Sequence, residues 1–196
     1  MPSEKNPLYP VFLKLSQLNV LIVGGGYVGF EKLSFMLKSS PNANVTLLSK
    51  EFSDPIKKLA EAHQIPMIQR AYAPNILYQK HLVIAATNDV AVNKQIYHDA
   101  KERYILVNVA DTPEYCDFYL GGIVTKGNLK LAISTQGKSP TLAKRLRQFF
   151  EESLPEDMDE LIENLHLYRA TLHGELKEKT EILNKHTALL LKKNHD

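Results

Sequence analysis

The chain has 196 residues and a formal net charge of only +2, so no protein-wide field for nucleic acid exists. Hydrophobic residues make up 44% and charged residues 23%, a globular balance that excludes a disordered chain. No run reaches the roughly 18–20 apolar residues of a membrane span. The start, Met1-Pro2-Ser3-Glu4-Lys5-Asn6, lacks the basic and apolar regions of a secretory signal, so a cytoplasmic protein without membrane attachment is expected. Cys116 is the single cysteine, which rules out an internal disulfide framework.

The first half alternates strand and helix. Asn19 to Val23 is a continuous apolar run ending in glycines and predicts a strand buried on both faces. Tyr27 to Lys38 carries Val28, Leu33, Met36 and Leu37 at helical spacing, and Ser39-Ser40-Pro41-Asn42 ends it. Val45 to Leu48 predicts the second strand, and Ser53 or Asp54 caps a helix running through His63. Pro66 to Arg70 is a third, weaker strand, and Leu82 to Ala86 a strong fourth. A helix over Ala91 to Lys101 and a strand over Ile105 to Val109 follow. Strands separated by single helices imply right-handed crossovers, hence an α/β fold with a doubly wound parallel sheet of the Rossmann type.

After Pro113 the pattern changes. Phe118 to Val124 and Leu129 to Ser134 predict two strands of a hairpin around Lys126-Gly127-Asn128. From Pro140 the chain reads as helical, with Leu142, Leu146, Phe149 and Phe150 forming a core-facing stripe. A long amphipathic helix is expected over Asp159 to Lys193, with Leu161, Leu165, Tyr168, Leu172 and Leu176 on one face. That face packs against a second subunit or back on its own chain. The expected division is 1–113, a dinucleotide-binding domain; 114–150, a β-containing dimerisation region; and 151–196, a helical segment.

Gly24-Gly25-Gly26-Tyr27-Val28-Gly29 matches G-x-G-x-x-G between the first strand and the first helix. Gly24 permits the turn, Gly26 lets a pyrophosphate approach the backbone, and Gly29 lets helix and strand pack closely. The helix N-terminus offers unpaired N–H groups to the phosphates. The fingerprint also requires an acid about 20 residues on, at the end of the second strand. Ser49-Lys50-Glu51 stands there: Glu51 would bind the ribose hydroxyls of NAD, whereas Lys50 suits a 2′-phosphate, and two solvated loop charges remain the plain alternative. NAD is the favoured reading. Thr87 and Asn88, after the fourth strand, reach the same crevice, and Asn88 or Asp89 can cap the next helix.

The fifth strand ends Asn108-Val109-Ala110-Asp111-Thr112-Pro113. At this sheet edge a carboxylate can take a proton while a hydride leaves, although Asp before Thr-Pro is also an ordinary turn residue. From Phe118 to Phe150 no acid occurs, while Lys126, Lys130, Lys138, Lys144, Arg145 and Arg147 are basic. Glu151 to Glu163 is then acidic throughout, so the stretch is either a polyanion site or a solvated basic face. Within it Ser134-Thr135-Gln136-Gly137-Lys138-Ser139-Pro140 opens a helix, Ser139 as N-cap, and forms a cradle for carboxylate or phosphate. Ala132 occupies the position of the first Walker A glycine, which excludes that motif. No histidine or cysteine spacing marks a metal site.

Taken together, GGGYVGFEK, VIAATNDVAVN, NVADTPEYCDFY and AISTQGKSPTLAKRLR resemble the precorrin-2 dehydrogenase family, the N-terminal modules of sirohaem synthases and their free-standing relatives. The resemblance runs in order from about Pro10 to Leu161. It implies NAD-dependent oxidation of precorrin-2 to sirohydrochlorin, a tetrapyrrole, by two intertwined chains forming a homodimer. In bifunctional members it implies ferrochelatase activity, with ferrous iron as a further substrate. It assigns the NAD loop to Gly24, Gly26, Tyr27, Val28 and Gly29, further cofactor contacts to Ser49, Lys50, Glu51, Thr87 and Asn88, and the essential aspartate to Asp111. Substrate contacts are expected at Asn108, Ser134, Thr135, Lys138 and Ser139, with Gln136 departing from the family's common glycine. Two other readings stay open: an NAD-sensing module without catalysis, and a dehydrogenase of a smaller acid.

Overall fold

The computed structural model describes residues 6–173 and 175–188. Five parallel strands, β1 (Val20–Val23), β2 (Val45–Ser49), β3 (Met67–Gln69), β4 (Leu82–Ala85) and β5 (Leu106–Val109), form one sheet in the order β3-β2-β1-β4-β5. Helices α1 (Tyr27–Ser39), α2 (Asp54–Ala62) and α3 (Val90–Glu102) make the crossovers. Strand order reverses between β1 and β4, so the carboxyl ends of these two strands flank the crevice where such sheets bind ligands.

Alternation along the strands explains the two-sided core. Val20, Ile22, Leu47 and Ile84 face α1 and α2, where Leu33, Leu37 and Ile56 cover them. Leu21, Val23, Val83 and Val107 face the other way, against Ile96 and Ala100 of α3 and Leu77. All four residues of β1 and of β4 are buried, which is why both read as unbroken apolar runs. Each such side chain contributes about 1.5–3 kcal/mol, so the strand ends that carry the site rest on the firmest part of the chain.

The second sheet is a hairpin of β6 (Gly122–Lys126) and β7 (Leu129–Ile133), joined through Gly127 and Asn128. The expected strand over Phe118 to Val124 is therefore displaced: it starts at Gly122 and runs to Lys126. The two-residue connection pairs Lys126 with Leu129 and so fixes the register from the turn outward. Three helices follow, α4 (Pro140–Ser153), α5 (Met158–Thr171) and α6 (Leu176–Thr187). The stripe on α4 is not a core face: Leu142 is 51% and Phe149 59% exposed. Nor is there one long helix from Asp159. Leu172 is extended, and Glu175 starts α6 with its N–H on the Glu178 carboxylate at 3.2 Å. The expected continuation to Lys193 lies outside the described residues.

The chain divides into two compact units. One comprises the described residues through Gly121 together with Ser134–Pro140; the other comprises Gly122–Ile133 and the residues from Thr141. The expected boundary at 150 falls inside α4, and beyond the expected boundary at 113 the Asp117 N–H still donates to Val107 of β5 at 2.8 Å. No described helix is long and apolar enough to cross a membrane.

Candidate active site

The glycine turn joins β1 to α1 under tight steric control. Gly24 has φ +133°, and a Cβ there would stand 2.3 Å from the Ala86 carbonyl oxygen. A Cβ on Gly29 would stand 2.1 Å from the Gly24 oxygen, so helix and turn meet only through glycine. Gly26 is different: a Cβ there meets nothing within 4 Å, because this position faces open space. That is the arrangement a pyrophosphate needs, with bare backbone exposed at the start of a helix whose first N–H groups lack internal acceptors.

Beside the turn lies a cavity of about 640 Å³, within the size range of cofactor sites. Gly24, Gly25, Gly26 and Val28 form its floor; Ser49, Lys50 and Glu51 line it after β2; Thr87 and Asn88 line it after β4. Tyr27 does not line it and is 77% exposed; it is the first residue of α1, so its backbone N–H belongs to the helix start.

Thr87 is engaged within its own loop. Its hydroxyl donates to Asn93 Oδ1 at 2.6 Å and accepts from the Asp89 N–H at 3.2 Å. Asn93, buried in the first turn of α3, donates to the Thr87 carbonyl at 2.9 Å. Asp89 caps α3, accepting from the Ala91 and Val92 N–H groups at 2.9 and 3.1 Å. Asn88, exposed between them, is the residue left to reach a ligand.

Three contributors were not assigned from sequence. A Cβ on Gly25 would stand 2.1 Å from the Glu51 carbonyl oxygen, so the nominal x of the motif is as constrained as its named glycines. Arg70 and Tyr72 line the cavity just beyond β3. The Arg70 N–H donates to the Ser49 carbonyl at 2.9 Å, and the Tyr72 hydroxyl donates to Asp99 at 2.9 Å. The signal was available, since every strand of a parallel sheet delivers its carboxyl end to the same edge. The fit to NAD is therefore direct: a glycine floor, an unpaired helix start and a carboxylate, Glu51, beside two cations.

Asp111 stands at this same edge. Ala110 N–H donates to the Ala85 carbonyl at 2.9 Å, just as Ala86 N–H donates to Val23 at 2.8 Å, and Asp111 is the next residue. It is exposed and has φ +57°, a left-handed conformation that Asp tolerates better than most residues. Asn108, expected as a substrate contact, is 7% exposed, and its amide donates to the Phe118 carbonyl at 2.8 Å. Its amide is thus turned to its own loop.

The Ser134–Ser139 loop closes on itself. Thr135 Oγ donates to the Ser139 carbonyl at 3.0 Å and accepts the Ser139 N–H at 3.2 Å, while Ser134 Oγ accepts the Gln136 N–H at 3.2 Å. Gln136 has φ +57°, the region that glycine adopts without strain. The basic stretch is partly neutralised, since Lys126 pairs with Glu156 and Arg147 with Glu151 at 2.6 Å. Among the described residues no group of three or more His, Cys, Asp or Glu side chains is placed to hold a metal ion.

Comparison with known proteins agrees with this geometry. Residues 11–122 match the family described as "Putative NAD(P)-binding", and residues 126–153 match "Sirohaem biosynthesis protein central". The siroheme synthase of Zymomonas mobilis is 35% identical over 85% of this chain and 35% of its own length. That of Pseudoalteromonas atlantica is 33% identical over 88% of this chain and 37% of its own. The chain thus spans about a third of these relatives. The solved structure of SirC, a precorrin-2 dehydrogenase, superposes with a TM-score of 0.74 at 26% identity, covering 91% of this chain and 88% of that one. The chain belongs to the family described as "Putative NAD(P)-binding", and the stretch that follows matches the central part of sirohaem biosynthesis proteins.

Proposed function

We propose that this chain oxidises precorrin-2 to sirohydrochlorin with NAD as electron acceptor. The observation that carries the reading is an exposed carboxylate, Asp111, two residues beyond β5 on the sheet edge that also frames the dinucleotide cavity. Bound NAD supplies the acceptor for the hydride. The proton lost with that hydride needs a base, and Asp111 is the residue to take it on a carboxylate oxygen. The backbone at Gly26 and the N-terminal N–H groups of α1 bind the pyrophosphate, Glu51 the ribose, and Ala85 and Ala86 let the cofactor lie close to β4. Lys138, with Ser134, Thr135 and Ser139 around it, offers counter-charge and polar contacts to a macrocycle that bears many carboxylates.

In a chelatase step ferrous iron is substrate, and the same Asp111 would accept pyrrole protons as the metal enters. The reading takes the chain to act in the cytoplasm as a homodimer, with exposed Leu142 and Phe149 as apolar surface for a second copy. Sedimentation of the L142D/F149D variant against the parent checks that part.

The test of the chemistry is anaerobic incubation of the protein with precorrin-2 and NAD. The expected result is the sirohydrochlorin spectrum together with an equal amount of NADH, abolished in Asp111→Ala while NAD affinity stays within twofold. No NADH from the parent protein rejects the activity, and undiminished turnover by D111A rejects the base. Ferrous iron added to the product then assays the chelatase step.

A further inference from the structure

Asp111 sits at the tip of a loop that leaves β5 at Val109 and returns along the outer edge of the same strand. At its base the backbone pairs twice with one residue. Asp117 N–H donates to the Val107 carbonyl at 2.8 Å, and Val107 N–H donates to Asp117 Oδ2 at 3.1 Å. Lys101 of α3 holds the other Asp117 oxygen at 2.6 Å.

Two side chains then bridge the loop between base and tip. The Asn108 amide donates to the Phe118 carbonyl at 2.8 Å and approaches Cys116 Sγ at 3.4 Å. The Cys116 thiol lies 3.3 Å from the Val109 carbonyl and 3.4 Å from the Thr112 carbonyl, and accepts the Val109 N–H at 3.4 Å. Burial pushes this thiol above its ordinary value, so it keeps its proton for those carbonyls. Cys116 therefore touches the chain on both sides of Asp111. At the tip, Thr112 N–H donates to Val109 at 3.3 Å and its hydroxyl to Ala110 at 3.2 Å.

Such a web has a reason. A non-glycine residue at φ +57° persists only where its surroundings over-determine it. Position 108 also alternates with Val107 and Val109, on the sheet face where apolar neighbours pack, and an aliphatic side chain would suit that face better than an amide. Retaining Asn there makes sense for orientation.

We propose that Asn108, together with Cys116, is a positioning residue that fixes the backbone flanking Asp111 and so sets where its carboxylate stands. The proposal rests on the reading of Asp111 as the proton acceptor. Displacing a reacting group by about 1 Å can cost on the order of 100-fold in rate. Asn108→Ala and Cys116→Ala in the full chain should therefore lower kcat about 10- to 100-fold, with the KM for precorrin-2 and the affinity for NAD within twofold. Cys116→Ser, which keeps a donor and an acceptor, should restore most of the rate lost in C116A; if N108A does not fold, the C116A and C116S pair carries the test.

Hydrogen exchange gives a readout independent of turnover. In C116A and N108A the amides of Ala110 to Tyr115 should exchange at least tenfold faster, while those of β1 and β4 keep their protection. Unchanged exchange in the loop overturns the inference whatever the substrate proves to be. Unchanged kcat in N108A and C116A, with D111A inactive, overturns it while leaving the base assignment standing. If D111A itself turns over normally, the base reading falls first and the positioning role falls with it.

Discussion

A Cβ on Gly25 would stand 2.1 Å from the carbonyl oxygen of Glu51, so the glycine turn and the loop after β2 touch only because residue 25 has no side chain. The contact is reinforced by the Ser53 N–H, which donates to the Gly25 carbonyl at 2.9 Å. Gly26, its neighbour, has open space where a Cβ would point. The two glycines are therefore separable: packing requires one, and only the proposed pyrophosphate contact would require the other.

Gly25→Ala should destabilise the protein by about 1–3 kcal/mol, the usual cost of overpacking. For a domain of this size that lowers Tm by about 2–4 °C per kcal/mol. Gly26→Ala should leave Tm within a degree or two and raise the Kd for NAD at least tenfold. Thermal unfolding and a nucleotide titration on both variants decide it. A G26A protein that binds NAD normally would show that the pyrophosphate does not lie over this turn.

Glu51 shares the cavity wall with Lys50 and Arg70. The carboxylate favours two ribose hydroxyls and repels a 2′-phosphate, whereas the two cations would welcome one. Glu51→Ala should therefore shift the ratio of NAD to NADP affinity toward NADP by about tenfold, as expected for removing a nearby like charge worth about 1.4 kcal/mol. Reversing the change with Lys50→Ala in the same chain should recover part of the preference. Titration with both dinucleotides measures it, and an unaltered ratio in E51A would remove Glu51 from the ribose site.

The parallel sheet was legible because each buried strand is written as an unbroken apolar run, and β1 and β4 are buried along their whole length. The site was legible as far as topology determines it, since residues after β1, β2, β4 and β5 reach one edge in any such sheet. What could not be read were contacts between loops distant in sequence, such as Gly25 with Glu51. The lock of Asn93 on Thr87 is of the same kind, because no periodicity says which polar side chain in a helix's first turn will face back. Leu142 and Phe149 misled because helical spacing shows that one face is apolar without saying what covers it. The break between α5 and α6 did have a signal: Glu175 and Glu178 are spaced as a new helix start.

Tyr72 links the cavity wall to α3 through its hydrogen bond to Asp99. Burial first, and then the Asp99 carboxylate, push its phenol well above the ordinary value of about 10. The folded protein holds this proton more tightly than the unfolded chain does. Its contribution to stability is therefore complete below about pH 10 and is lost as pH rises from there toward the folded-state value. Tyr72→Phe should flatten the fall of stability between about pH 9 and 11 relative to the parent. Urea midpoints across that range test it, and parallel curves would mean that the Tyr72–Asp99 bond does not survive in solution.

The hairpin of the second unit is built on an equally close approach. Gly127 has φ +53°, and a Cβ there would stand 2.2 Å from Asp159 Cγ. Asp159, in the first turn of α5, accepts the Asn128 N–H at 2.7 Å and so ties the hairpin tip to that helix. Gly127→Ala incurs two costs, a left-handed penalty of roughly 1–2 kcal/mol and the clash with Asp159. Asp159→Ala removes the acceptor, at about 1 kcal/mol, and also empties the space that the new methyl group needs. The double variant should therefore be less destabilised than the sum of the singles, by about 1 kcal/mol or more, with the left-handed penalty remaining. A double-mutant cycle from chemical unfolding measures that coupling. Strict additivity would mean that the hairpin tip and α5 do not meet at Asp159 in solution, and the rationale for glycine at 127 would then rest on its backbone angle alone.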